Sequence, residues 1–85
     1  MDTRVAVIAI IVKDSSAAAD VNAILHDYDK FIIGRMGVPY RSKGINIISI
    51  AIDAPQDTIA ALSGKIGNLD GVSVKTAYAG VNGND

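Results

Sequence analysis

Four cationic side chains, Lys30, Arg35, Arg41 and Lys43, fall in one stretch that contains no acid. Gly34, Gly37 and Gly44 are interspersed among them, so mobile backbone lies beside positive charge. An anion or small effector could be held there, above all across a subunit boundary. The competing reading is a solvated hairpin whose glycines serve bulges and turns. Arg35, Arg41 and Lys43 are the ligand-binding candidates. His26 is the only histidine, and cysteine is absent, so the chain cannot build a conventional multi-histidine or thiolate metal site by itself. All nine acids are aspartates, spread over helix starts, turns and the C-terminus. Asp14, Asp53 and Asp57 read as capping or first-turn residues. No nucleophile, base and orienting residue share a recognisable spacing. No catalytic residue, no metal ligand and no cofactor are assigned, and the expectation is a protein that is not an enzyme.

What must position those cations is set by the apolar residues. The chain has 85 residues, 49% of them hydrophobic against 20% charged, with a net charge of -1. Such a length suits one domain, which buries only about 60% of its unfolded surface. High aliphatic content with low net charge argues against disorder. The absence of a basic excess removes the compositional case for nonspecific nucleic-acid or polybasic membrane binding. The longest apolar run, Val5 to Val12, falls far short of the roughly 20 residues that span a bilayer. Met1-Asp2-Thr3-Arg4 lacks the basic start and the small-residue cleavage site of a signal peptide. A cytoplasmic location without membrane contact is expected.

Val5–Val12 is short and dense in β-branched residues, which predicts a strand. Lys13-Asp14-Ser15-Ser16 supplies a turn and helix caps. Ala17, Val21, Ile24, Leu25 and Tyr28 then form one stripe at helical spacing, predicting a helix from Ala17 to Tyr28. Phe31-Ile32-Ile33 begins a second strand that continues toward Val38, where Pro39 should end or bend it. Tyr40–Gly44 reads as a hairpin loop, and Ile45–Ile52 as a third strand. Asp53-Ala54-Pro55 opens a second helix with the stripe Ile59, Leu62, Ile66 and Leu69. Asp70-Gly71 stops it, and Val72–Tyr78 alternates as a fourth strand. One domain over residues 1–78 is expected, with 79–85 as a flexible tail.

That order, β-α-β-β-α-β, is the α+β ferredoxin-like sandwich, with an antiparallel sheet ordered 4-1-3-2 and both helices on one face. Helices on one side leave the other side bare. A monomer's central strands should then alternate between apolar and polar. The first strand instead has Val5, Val7, Ala9 and Ile11 on one face and Ala6, Ile8, Ile10 and Val12 on the other. The third has Ile45, Ile47, Ser49 and Ala51 against Asn46, Ile48, Ile50 and Ile52. Soluble monomers rarely expose so aliphatic a surface. A homo-oligomer, dimer or tetramer, is expected, packed sheet on sheet through Val5, Val7, Ile11, Ile45 and Ile47 or joined through an edge strand, the alternative being partial shielding by the C-terminal tail. Gly64 and Gly67 interrupt the second helix and, with Ala60, form a small-residue surface, most simply for packing.

Two users of this fold are excluded on their residues. An acylphosphatase-like enzyme needs an arginine-bearing phosphate loop after the first strand, where this chain has Lys13-Asp14-Ser15-Ser16. An RNA-recognition domain displays aromatic rings on its central strands, and Val5–Val12 and Ile45–Ile52 carry none.

The segments Arg4–Val12, Asn22-Ala23-Ile24-Leu25-His26-Asp27-Tyr28, Ile32–Tyr40 and Ala61-Leu62-Ser63-Gly64-Lys65 resemble the iron-only hydrogenase system regulators, a small bacterial family. Ile33-Gly34-Arg35-Met36-Gly37-Val38-Pro39-Tyr40-Arg41 is the most distinctive part. The resemblance runs from about Arg4 to Tyr78. It implies an ACT-like, ferredoxin-like fold and a transcriptional regulator. It also implies similarity to the C-terminal domain of the nickel-responsive repressor, an oligomeric effector domain. That repressor's metal site uses several histidines and a cysteine, so it is not carried over. ACT domains commonly have a glycine-bearing turn after the first strand, where this chain has Asp14-Ser15-Ser16. The chain also has no helix-turn-helix or ribbon arm, hence no direct nucleic-acid motif. The expectation is a non-enzymatic oligomeric domain binding a small effector or a protein partner. The alternative is a small enzyme or enzyme accessory subunit with its site at a subunit interface.

Overall fold

The β-branched residues of β1 (Arg4–Val12) place it in the middle of a sheet, paired antiparallel on both sides. The computed structural model describes residues 2–80. After β1, a single 3-10 turn at Ser15–Ala17 leads into α1 (Ala18–Asp27). A second such turn, Asp29–Phe31, precedes β2 (Ile32–Tyr40), and a third, Arg41–Lys43, connects it to β3 (Ile45–Ala54). Helix α2 (Gln56–Gly67) and β4 (Val72–Tyr78) complete the order. The sheet order is β2-β3-β1-β4, which read from the other edge is the ferredoxin-like 4-1-3-2.

Period-two alternation decides what is buried. Ala6, Ile8, Ile10 and Val12 of β1 and Ile48, Ile50, Ile52 and Ala54 of β3 form one core with Val21 and Leu25 of α1 and Ile59, Leu62 and Ile66 of α2. Register aligns the two central strands, with Ile8 opposite Ile50 and Ile10 opposite Ile48. The outer strand β4 contributes half-buried Val72, Val74, Thr76 and Tyr78. Thr76 also shares a hydroxyl–hydroxyl hydrogen bond of 2.9 Å with Ser63, tying β4 to α2.

Three local outcomes differ from the sequence expectation. β2 does not stop at Val38 but runs through Pro39, which sits opposite Asn46. An edge strand tolerates proline because its outward N–H has no ladder partner to lose. Asp53 caps no helix: β3 continues to Ala54, which pairs with Arg4, and Pro55 is the N-cap of α2. Asp57 does lie in the first turn of α2, and Asp14 accepts from the Ser16 amide at 3.0 Å. Helix α1 begins at Ala18 because the 3-10 turn takes up Ser15–Ala17, and Tyr28 is its C-cap. Of the expected tail 79–85, residues 81–85 lie outside the described residues. The Ala79 N–H donates to the Val5 carbonyl at 2.9 Å, adding one rung to the ladder of β1 and β4.

Candidate functional site

On the side away from the helices, which no other described element covers, the sheet presents the other half of each strand. Val5 and Val7 are each 45% exposed there, and on β2 Met36 is 59%, Val38 43% and Tyr40 46% exposed. Ile11, Ile47 and Val38 stand side by side across β1, β3 and β2. Ile45 lies opposite Tyr40, and Val7 opposite Ala51. Val5, Val7, Ile11, Ile45 and Ile47 are therefore on one continuous surface. Polar residues bound it: Ser73 and Lys75 on β4 oppose Ile11 and Ala9, and Asp53 opposes Val5. This is an aliphatic band with a polar border, larger than soluble monomers usually expose.

The cationic stretch is divided between two places. A β-bulge separates Ile32 from Gly34, whose partners Ile52 and Ala51 are adjacent on β3. The extra residue, Ile33, is 64% exposed. One inserted residue reverses the alternation beyond it. Arg35, Gly37 and Pro39 thus share the helix side with their partners Ile50, Ile48 and Asn46. Arg35 turns toward α1, and its Nη2 donates to Asn22 Oδ1 at 2.8 Å. Between the start of α1 and the outer part of the β2–β3 hairpin lies a cleft of about 290 Å³. Its polar lining is Asn22, Arg35 and Asn46; Ala18, Pro39 and Ile48 supply apolar wall, and Gly37, Val38 and Ile47 complete the lining.

Arg41 and Lys43 are outside that lining, exposed in the turn after β2. Six residues of chain at about 3.3 Å each separate Arg41 from Arg35. The structure brings Arg35 to the cleft and does not bring the three candidates together. Asn22 and Asn46 were not singled out by sequence, since nothing in their spacing marks two asparagines as neighbours. His26 is exposed in the last turn of α1. Among the described residues, no group of three or more His, Asp or Glu side chains could hold a metal ion.

A second cleft is lined by Asp14, Ser16, Asp20 and Asp70. There the hydroxyl of Ser16 donates to Asp14 Oδ1 at 2.8 Å, and the Ser16 amide donates to the same oxygen. Both bonds favour the carboxylate and hold Asp14 below its ordinary value, the hydroxyl more than the amide. A depressed folded-state pKa stabilises the fold above the unfolded value, and that contribution disappears as pH falls through the folded value. Asp14→Asn should therefore narrow the gap in melting temperature between pH 7 and pH ~2.5. Equal acid sensitivity in the variant and the parent would show that the cap has no such role.

A four-stranded antiparallel sheet in the order 4-1-3-2, with both helices on one face and an aliphatic band on the other, defines an α+β ferredoxin-like domain. The chain belongs to the TM1266-like family, described as "Iron-only hydrogenase system regulator, putative", whose profile matches residues 4–76. The structure is similar to that of the uncharacterized protein TM1266 from Thermotoga maritima, with a TM-score of 0.89 and 36% identity, covering 93% of this chain and 100% of that one. It also resembles part of a formyltetrahydrofolate deformylase from Pseudomonas putida KT2440, with a TM-score of 0.63 and 14% identity. That match covers 86% of this chain but 28% of the deformylase, and it shows shared fold alone. No curated protein sequence matches the chain. No helix among the described residues is long and apolar enough to cross a membrane.

Proposed function

We propose that the chain is a non-enzymatic regulatory subunit of an iron-only hydrogenase system, a cytoplasmic homo-oligomer that responds to a small effector or a protein partner. The aliphatic band on the bare sheet face carries this reading. Covering a few hundred Å² of it at about 25 cal/mol per Å² favours association by several kcal/mol before entropic costs. Val5, Val7, Ile11, Ile45 and Ile47 form the contact between copies, as a dimer or a tetramer. The family description supplies the hydrogenase context. Arg35 contacts the effector, and Arg41 and Lys43 extend the positive surface toward a partner. Control of transcription, on this reading, runs through a DNA-binding partner, because none of the elements from β1 to β4 forms a helix-turn-helix.

Sedimentation equilibrium tests the assembly. A mass of at least twice the 8.8 kDa chain at micromolar concentration is expected. A monomer mass that does not change with concentration would remove the reading. For the regulatory half, deletion of the gene should alter hydrogenase transcript levels in the source organism. Unchanged transcripts under both hydrogen-evolving and non-evolving growth would count against it.

A further inference from the structure

The bulge in β2 re-aims one cation out of a row of strand residues, and it aims it at a cleft. Gly34 pairs with Ala51 directly after Ile32 pairs with Ile52, so Arg35 reaches the helix side rather than the bare face. Bulges commonly redirect a side chain in this way at binding sites. We infer that the cleft beside β2 binds a small organic monocarboxylate with a short apolar tail, held by Arg35, Asn22 and Asn46. This rests on the effector-binding reading above and names its site and ligand class.

The ligand class follows from the lining. A guanidinium has five N–H donors in a planar fork that matches a carboxylate. Among the described residues, the side-chain bond made by Arg35 is the one to Asn22 Oδ1, made through Nη2. That bond orients the guanidinium and leaves donors for an anion. One cation and two amides suit one negative charge; a phosphate dianion calls for more positive charge or a nest of backbone amides. Pro39 and Ile48 present apolar surface to the same space. At about 290 Å³ the cleft sits at the small end of ligand sites, a size that suits a short branched chain or a single ring. Gly37 keeps the floor open: a Cβ built there meets nothing within 4 Å.

The openness of Gly37 makes a clean variant available. Gly37→Leu adds a side chain toward the cleft whose Cβ meets nothing within 4 Å, and glycine in a strand interior weakens it. The experiment is a titration of the full chain followed by backbone amide chemical shifts, with isovalerate and benzoate as probes. Isoamyl alcohol supplies a tail without charge, and inorganic phosphate supplies charge without a tail. At least one carboxylate should shift the Ala18, Asn22 and Gly37 amides saturably, and at least tenfold more tightly than the alcohol or phosphate. Arg35→Lys should weaken that binding at least fivefold by losing the fork while keeping the charge. Gly37→Leu should abolish it while leaving the dispersion of the spectrum intact.

The proposal falls if neither carboxylate produces a saturable shift. It also falls if phosphate binds as tightly, or if Gly37→Leu binds like the parent. Sedimentation of the same samples separates the two claims. An oligomer with a silent cleft removes this inference and leaves the regulatory reading standing, whereas a monomer that binds carboxylate does the reverse.

Discussion

Gly71→Ala is expected to destabilise the fold by about 3 kcal/mol, against about 1 kcal/mol for Gly44→Ala, although both glycines end a tight turn with positive φ. Their angles are nearly the same, +75° for Gly71 and +65° for Gly44, so the left-handed backbone alone penalises the two alanines alike. Surroundings separate them. A Cβ at Gly44 meets nothing within 4 Å, while one at Gly71 lies 2.6 Å from the Asp14 Cβ and 3.3 Å from the Asp14 amide nitrogen. A Cβ cannot rotate away, so the backbone has to move. The two chains there are held by the Lys13 N–H donating to the Gly71 carbonyl at 2.7 Å, and Asp14 is itself fixed by its cap on Ser16. Moving them apart strains both contacts. For a domain of this length a 3 kcal/mol loss lowers the melting temperature by roughly 12–24 °C. Thermal melts of the two variants check this directly. In an Asp14→Gly background, where the opposing Cβ is gone and the 3.3 Å backbone approach remains, Gly71→Ala should cost clearly less than in the parent. Equal losses for the two single variants would mean that the close approach does not exist.

Why that contrast is invisible in the sequence shows where residue patterns stop being informative. Asp70-Gly71 announces a turn, and so does Lys43-Gly44, because glycine at a helix or hairpin end is a local signal. That Gly71 closes on Asp14, across most of the chain, is a tertiary fact with no local trace. The same division holds for the strands. Ile45–Ile52 and Val5–Val12 are legible because their apolar residues occupy both parities, and the resulting order β-α-β-β-α-β allows few topologies. Strand β2 was the least legible. Its proline suggests an end, yet at an edge it costs no ladder bond, and edge position depends on the other strands. Ile32-Ile33-Gly34 gives no sign of which isoleucine will be left unpaired.

The candidate site inherits that uncertainty. Arg35, Arg41 and Lys43 are one group by sequence and two by structure, because the bulge at Ile33 decides which way Arg35 points and the turn at Arg41–Lys43 carries the other two past the end of the sheet. Asn22 becomes a neighbour of Arg35 only once α1 lies over β2. The surface on the bare face, by contrast, needed only period-two counting on strands whose pairing the topology fixes. Its residues were identifiable beforehand for that reason.

Two adjacent residues of β1, one on that surface and one in the core behind it, should give opposite results. Val7→Asp is expected to convert the proposed oligomer to a folded monomer, and Ile8→Asp to prevent folding. Val7 is 45% exposed in the single chain, so an aspartate there keeps its hydration and costs about 1 kcal/mol or less in strand preference. Ile8 is fully buried between Ile50 of β3 and Thr76 of β4, where a carboxylate has no partner and no water. In the proposed assembly Val7→Asp also meets a burial cost: Val7 lies between Ala51 and Ala77 on the bare face, and covering that face with a second copy takes the charge out of water. Such a charge is expected to weaken association by about 3–5 kcal/mol, a factor of some 10²–10³ or more in dissociation constant. Lys75 opposes Ala9, the diagonal neighbour of position 7 on the same face and within a lysine's reach, so pairing with it moves the loss toward the lower figure, and Val7→Asp with Lys75→Ala should give the full loss. Circular dichroism reports the fold and sedimentation reports the mass, so the two effects are read separately. If Val7→Asp sediments as the parent does, the copies meet through some other surface, such as the exposed edge of β2. If it unfolds as Ile8→Asp does, the bare face is held by contacts within the chain, and its aliphatic character serves the fold rather than assembly.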